Sequence, residues 1–176
     1  VPNRLTIIGA GVIGMEFASA FSAFGSEVTV IEFMKECLPP IDSDIAKRLR
    51  KTLEKRGVTF YMQSAVKQIL SPAESGQEYT TVVFDKKGKE DRIDTDLVLI
   101  ATGRQANFDN IGIESTGIEV NAKGIVVNDN METNVKGVYA IGDVNARQML
   151  AHAATFQGFR AVNHILGKDD NIRLNI

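Results

Sequence analysis

The chain has 176 residues, 44% of them hydrophobic and 24% charged, with a net charge of −2 and no long basic stretch, which argues against a nucleic-acid binder. No apolar run is long enough to cross a bilayer, and the single Cys37 excludes an intrachain disulfide framework and a thiolate metal cluster. This length supports one core of ordinary domain size, whereas two complete dinucleotide-binding domains would need more residues.

The first 60 residues predict a βαβαβ unit, which makes a parallel sheet with helices on its faces. Phe17, Ala20, Phe21 and Phe24 recur at helical spacing in the first helix, and Ile45, Leu49 and Leu53 form one face of the second. Strands are predicted at residues 4–9, 27–32 and 58–62, and helices at residues 11–24 and from Asp42 or Ser43 to Gly57.

The middle of the chain changes character. Short strands at 66–70, 79–85 and 91–93, with KKGK at 86–89 as a turn, predict an antiparallel excursion before a buried strand returns at 97–100. After a polar stretch we expect strands at 124–128 and 138–142 and a helix from about 147 to 166. The fold class is therefore α/β, a Rossmann-like parallel sheet with an antiparallel excursion.

A glycine-rich turn follows the first strand. Gly9, Gly11 and Gly14 form GxGxxG, in which the first glycine permits the turn, the second lets a pyrophosphate approach and the third brings helix and strand together. The helix N–H groups, around Val12 and Ile13, would then face the phosphates. The alternative is a glycine-rich turn that binds no ligand. The dinucleotide site is favoured because Glu32 ends the second strand, where an acid hydrogen-bonds a ribose 2′-OH.

The residues beside Glu32 bear on the choice of cofactor. Glu32 would repel a 2′-phosphate, and its neighbours Phe33 and Met34 offer no arginine to receive one. Lys35 is the only nearby cation that could instead accept a 2′-phosphate. The sequence therefore favours NAD over NADP.

The order of these motifs resembles a known family. GAGVIGMEF, VIE, ATGR, VYAIGDV and LAHAATFQG are similar to successive signatures of the FAD-dependent pyridine nucleotide-disulfide oxidoreductases, over about residues 2–167. DVNARQMLAHAA resembles most the dihydrolipoamide dehydrogenase subfamily. The opening VPNRLTIIG has no initiator methionine, and we expect it to be an interior stretch of a longer protein.

The resemblance implies a domain plan. Residues 1–104 would be the NAD-binding domain, and residues 105–176 a partial FAD-binding domain segment to which the chain returns. Glu16 would lie near the nicotinamide carboxamide, with an acid favoured by the helix N-terminus as the alternative. Gly103 would let NAD lie close to the backbone, and Arg104 would form an ion pair at the domain junction.

The second half would supply part of a FAD site. By the family pattern Asp143, at a strand end, hydrogen-bonds the ribityl or neighbouring hydroxyls of the flavin; otherwise it merely caps the loop. The backbone at a helix N-terminus would stabilise negative charge on the flavin pyrimidine, and it comprises Leu150, Ala151, His152 and Ala153. His152 and His164 lack the carboxylate spacing of a metal site, so no metal is expected.

The functional expectation follows from the resemblance. The chain would be the NAD(H)-binding portion of a flavin-dependent dihydrolipoamide dehydrogenase, which passes electrons from dihydrolipoamide through a disulfide and FAD to NAD. The redox disulfide and the base lie in other segments of the family, so no catalytic residue is assigned. The alternatives are a sister reductase of the glutathione or mercuric type and a non-enzymatic NAD-binding module.

The expected surroundings are those of the parent enzyme. It would be a homodimer, alone or in a 2-oxo acid dehydrogenase complex, in the cytoplasm or, in a eukaryote, in the mitochondrial matrix. No nucleic-acid or membrane partner is expected. The apolar side chains of residues 124–166 would be left without their cover, so we expect that segment to self-associate or to be partly disordered.

Overall fold

The computed structural model describes residues 1–168, which divide into two compact units. The first comprises residues 1–103 and the second begins at Arg104. Each unit is described by itself.

The first unit contains the predicted parallel sheet. Its strands lie in the order β3-β2-β1-β7, with Leu5 of β1 opposite both Val28 of β2 and Leu97 of β7. The strands are β1 (Arg4–Ile8), β2 (Glu27–Ile31), β3 (Thr59–Tyr61) and β7 (Leu97–Ile100). Because all four strands run in one direction, their carboxyl ends meet along one edge of the sheet.

Two helices connect these strands, α1 (Val12–Ala23) and α2 (Ser43–Lys55). Asp42 caps α2, and its carboxylate accepts a hydrogen bond from the Asp44 N–H, as one of the two predicted caps. Buried aliphatic side chains of the strands and helices form the core of this layer, among them Leu5, Ile7, Val30 and Leu53.

The sequence spacing predicted the buried faces of both helices only in part, because Phe21 packs against the core and Leu53 is buried but other residues of the predicted faces are exposed. In α1 the buried residues are Gly14, Met15 and Ala18, whereas Phe17 and Phe24 are 42% and 66% exposed. The small residues of α1 allow the closest approach to the sheet, so the rings of Phe17 and Phe24 face outward. In α2, Ala46 and Leu53 are buried, whereas Ile45 and Leu49 are exposed.

The antiparallel excursion is confirmed and is longer than predicted. It consists of β4 (Ser64–Leu70), a short helix α3 (Pro72–Ser75), β5 (Thr80–Lys86) and β6 (Lys89–Thr95), in the order β4-β5-β6. Lys87 and Gly88 both have positive φ, as a tight hairpin turn requires. Val82 and Phe84 of β5 pack against Ile8 and Ile31, which joins the two sheets.

The second unit lacks the two strands predicted at 124–128 and 138–142, and those predictions are wrong. Ile125 forms one isolated bridge with Val120, and Tyr139 forms another with Glu132. A β-branched run becomes a strand only when a neighbour offers a continuous ladder, and among the described residues of this unit these segments find single bridges only.

The second unit does contain the predicted helix, α4 (Ala151–Ile165), together with 3-10 turns at Ile113–Ser115 and Gly142–Asn145. Helix α4 begins four residues later than predicted. The backbone of Ala146 is in the left-handed conformation and the Arg147 N–H donates to the Asn145 side chain, so the helix cannot start there. None of the helices in residues 1–168 is both long and apolar enough to cross a membrane. Residues 169–176 of the predicted second domain lie outside the described part.

Candidate functional site

The first unit has a cleft of about 640 Å³ at the carboxyl ends of the parallel strands. Ile8, Ile31 and Ile100, at the ends of β1, β2 and β7, form its floor. The glycine turn after β1 and the segment after β2 supply parts of its wall. This is the edge where ligands bind in open parallel sheets.

Gly9 and Gly14 are required by the protein's own packing. Gly9 has φ +102°, and a Cβ there would lie 2.5 Å from the Ala101 carbonyl oxygen. A Cβ on Gly14 would lie 2.0 Å from the Gly9 carbonyl oxygen. Both glycines therefore permit the close contact of β1, α1 and β7 beneath the cleft.

Gly11 is different, because nothing within the protein requires it to be glycine. Its φ is −71°, which any residue adopts, and a Cβ there would have no atom within 4 Å. Gly11 lines the cleft and precedes the first turn of α1, where no side chain caps the helix. Val12 and Ile13 follow it and are 53% and 44% exposed. A phosphate group therefore has room to approach the backbone N–H groups of Val12 and Ile13.

Glu32 lines the cleft beside the glycine turn and is only 8% exposed. Its Oε2 accepts a hydrogen bond of 2.5 Å from the Ala10 N–H, and its Oε1 accepts one of 2.7 Å from the Met34 N–H. The carboxylate thus links the glycine turn to the segment after β2. A carboxylate oxygen has two lone pairs, so each oxygen can accept a further hydrogen bond from a ligand hydroxyl.

The structure therefore brings together four of the residues that the sequence singled out. Gly9, Gly11, Glu32 and Gly103 all line the cleft, and Gly103 has φ +122°, which favours glycine. Glu16 does not line it and is exposed on α1. Lys35, the cation near Glu32 that could favour NADP, is also exposed and is not among the residues that line the cleft.

An ion pair beside the cleft was missed by the sequence reasoning. The Arg50 guanidinium on α2 donates to both carboxylate oxygens of Glu36, at 2.7 and 3.0 Å, and also to Glu54 at 2.5 Å. The hydrogen bonds from Arg50 lower the pKa of Glu36 to about 2. Charged residues 14 positions apart carry no periodic signal, so only the folded chain identifies this pair.

Cys37, adjacent to Glu36, is a packing residue. Its side chain is 1% exposed, and its thiol donates to the Ala46 carbonyl at 3.4 Å. Burial raises the pKa of this thiol to about 11. The neutral thiol is therefore a poor nucleophile at neutral pH.

In the second unit, Asp143 lies within the 3-10 turn Gly142–Asn145 and not at a strand end as expected. Its carboxylate accepts a hydrogen bond of 2.9 Å from Arg104. Leu150 is the N-cap residue of α4, and Ala151, His152 and Ala153 form its first turn. Of these three, Ala153 is buried and the other two are exposed.

A buried amide pair holds this part of the second unit together. The Gln157 Oε1 accepts hydrogen bonds from the Gly142 N–H at 2.7 Å and from the Asn145 Nδ2 at 2.9 Å. The same Asn145 amide donates to the Ala140 carbonyl at 2.9 Å. Gln157 therefore fixes the turn that carries Asp143 against α4. His164, at the other end of α4, is hydrogen-bonded to the Tyr139 hydroxyl at 2.8 Å.

No group of three or more His, Cys, Asp or Glu side chains within residues 1–168 has the arrangement of a metal site. The first unit offers helix N–H groups and a carboxylate around a cleft, and the second offers a carboxylate and a helix N-terminus.

Comparison with known proteins bears on both units. Residues 1–158 match the family of pyridine nucleotide-disulphide oxidoreductases. The chain is 42% identical to the dihydrolipoyl dehydrogenase of Acholeplasma laidlawii, covering 94% of this chain and 46% of that protein. It is 38% identical to the leghemoglobin reductase of Glycine max, covering 96% of this chain and 32% of that protein.

A solved structure shows the same relationship. The Cu(II) complex of RclA, a HOCl-induced flavoprotein disulfide reductase of Escherichia coli, superposes with a TM-score of 0.84 at 30% identity, covering 96% of this chain and 38% of that one. The chain thus spans from about a third to about half of the length of these relatives. It belongs to the pyridine nucleotide-disulphide oxidoreductase family.

Proposed function

We propose that the cleft of the first unit binds NAD(H), and that this chain is the NAD-binding portion of a flavin-dependent dihydrolipoamide dehydrogenase. The observation that carries the proposal is Glu32, held by two backbone N–H groups at the edge of the cleft. Among the described residues that line the cleft, Glu32 is the only ionisable one. A carboxylate with no cation beside it accepts hydrogen bonds from ribose hydroxyls and repels a 2′-phosphate.

Different residues around the cleft are proposed to contact different parts of NAD(H). Gly11 leaves space for the pyrophosphate, the N–H groups of Val12, Ile13 and Gly14 at the start of α1 face it, and Gly103 allows the ligand to lie against the end of β7. Glu16, on the exposed face of α1, would reach the nicotinamide carboxamide from outside the cleft. The bound cofactor would accept a hydride from a reduced flavin.

The second unit, which begins at Arg104, is proposed to be a segment of a FAD-binding domain, and the first unit is proposed to be the NAD-binding domain. Asp143 would hydrogen-bond the ribityl hydroxyls of the flavin, and Arg104 would hold that carboxylate in place. The N-cap residue Leu150 and the first turn of α4, residues 151–153, would place a helix N-terminus at the flavin pyrimidine. In the whole protein, a homodimer, electrons would pass from dihydrolipoamide through a disulfide and FAD to NAD.

A second candidate is a flavoprotein reductase for another acceptor. Similarity to a leghemoglobin reductase and to a disulfide reductase solved as a Cu(II) complex favours it, since both are matched over nearly the whole of this chain. The assay that separates the candidates is turnover of the full-length protein with dihydrolipoamide and with oxidised glutathione. NAD-dependent oxidation of dihydrolipoamide supports the first candidate.

The nucleotide proposal is tested on the chain itself by fluorescence titration with NADH and NADPH. We expect tighter binding of NADH, and we expect Glu32→Gln to weaken NADH binding and reduce the discrimination. Glu27→Gln is the matched control, because Glu27 is exposed at the opposite end of the same strand. Equal or tighter binding of NADPH by the unsubstituted chain would refute the assignment.

A further inference from the structure

The segment from Phe33 to Ile41, between β2 and α2, forms one wall of the cleft without regular secondary structure. Phe33, Met34 and Pro39 line the cleft from this segment. A wall without a ladder or helix of its own keeps its shape only if other contacts fix it, so the contacts that hold this segment decide the shape of the site.

Three hydrogen bonds to its backbone groups fix the segment at Met34 and Leu38. The Met34 N–H donates to Glu32, and the Gln63 N–H donates to the Met34 carbonyl at 3.1 Å. Further on, the Leu38 N–H donates to the Ala10 carbonyl at 2.9 Å, with Leu38 in the left-handed region at φ +51°. A leucine adopts that conformation only where the surrounding structure imposes it.

The side-chain contact between these points comes from α2. Two guanidinium nitrogens of Arg50 donate hydrogen bonds to the Glu36 carboxylate, which also accepts a hydrogen bond of 3.0 Å from the Cys37 N–H. The side chains of Arg50 and Glu36 are 17% and 22% exposed, so water screens this pair only partly. A two-point guanidinium-carboxylate contact also fixes orientation, which a single contact does not.

We propose that Arg50 is a positioning residue for the nucleotide cleft. By holding Glu36, it fixes the wall segment so that the Met34 N–H stays on the Glu32 carboxylate and that carboxylate faces the ribose. This inference rests on the proposed NAD(H) site, and it deepens that site by assigning a role to a helix residue that does not line the cleft. Arg50 acts through Glu36 and Glu32 and touches no ligand.

The first test compares Arg50→Met with Arg48→Met in the full chain, with NADH as the probe. Arg48 lies on the same helix, is exposed and has no ion pair among the described contacts, so it is the matched control. We expect Arg50→Met to raise the Kd for NADH roughly five- to thirty-fold, as 1–2 kcal/mol of lost positioning would, and Arg48→Met to leave it unchanged. Arg50→Lys, which keeps the charge but not the fork, should fall between the two.

The second test separates positioning from a general loss of stability. If Arg50 acts through Glu32, adding Arg50→Met to Glu32→Gln should raise the Kd no further, because residues in one network are not additive. A fully additive loss would overturn the inference. Should Arg50→Met fail to fold, Glu36→Gln, which leaves Arg50 its contact with Glu54, replaces it in both experiments.

The outcomes distinguish this inference from the function on which it rests. If the unsubstituted chain does not bind NADH, the proposed function fails and the role of Arg50 falls with it. If the chain binds NADH and a folded Arg50→Met variant binds it equally well, the NAD(H) site stands and Arg50 has no positioning role.

Discussion

Replacing Gly14 by alanine tests how α1 is seated against the glycine turn. The new methyl group would lie 2.0 Å from the Gly9 carbonyl oxygen and 3.1 Å from its carbonyl carbon. An ordinary carbon-oxygen contact needs about 3.3 Å, so the helix would have to retreat by roughly 1.3 Å. The obstacle is backbone, so a side-chain rotation cannot relieve it.

The expected cost is large because the same helix carries buried Met15 and Ala18. Displacing them loosens the contact of α1 with the sheet, and overpacking of this kind costs about 3 kcal/mol, at the upper end of the usual range. Urea denaturation, followed by far-ultraviolet circular dichroism, measures the loss in the free energy of unfolding.

Gly11→Ala is the matched variant, because it makes the same chemical change three residues earlier. Its methyl group would meet no protein atom within 4 Å, and we expect a change of less than about 1 kcal/mol in the free energy of unfolding. NADH binding should nevertheless weaken, since the methyl group occupies space in the cleft. If Gly14→Ala keeps the stability of the unsubstituted chain, or if both variants lose equal stability, the packing of α1 does not depend on the close approach at Gly14.

Four further predictions follow from the contacts described above. The pKa of Glu36 is lowered from 4.5 to about 2, so its pairing stabilises the fold above pH 4.5 and is lost as the pH falls toward 2. Glu36→Gln should therefore remove about 1–2 kcal/mol at pH 7 but only a few tenths of a kcal/mol at pH 2, where about half of the native Glu36 carboxyls are protonated, measured by urea denaturation at both values. Gln157→Leu should cost about 1–3 kcal/mol in the second unit, because it leaves buried N–H donors unsatisfied; hydrogen exchange would measure it, and unchanged protection would contradict it. Cys37 should react with a maleimide in denaturant and only slowly in the folded chain, and fast labelling of the folded chain would exclude a buried thiol. The chain should self-associate through residues 124–166 in light scattering, and Phe159→Glu should reduce this, since Phe159 is 59% exposed; a monomer at high concentration would refute it.

The sequence alone was sufficient for the parallel sheet and the elements of the cleft. The turn at Gly9 and the acid at Glu32 follow directly after buried strands, and parallel strands end at one edge of a sheet. The local sequence is therefore enough to place Gly9 and Glu32 side by side, without any knowledge of tertiary contacts. The cap at Asp42 and the hairpin at KKGK were equally local, and the structure confirms both.

The tertiary structure decided what depends on a partner distant in the sequence. The contact between Arg50 and Glu36 has no periodic signal, and the outward face of Phe17 and Phe24 was set by the small residues that allow α1 to approach the sheet. The runs at 124–128 and 138–142 have the composition of strands, yet they form isolated bridges. Composition gives a segment the capacity to form a strand, but a strand exists only where a neighbouring segment completes its hydrogen bonds.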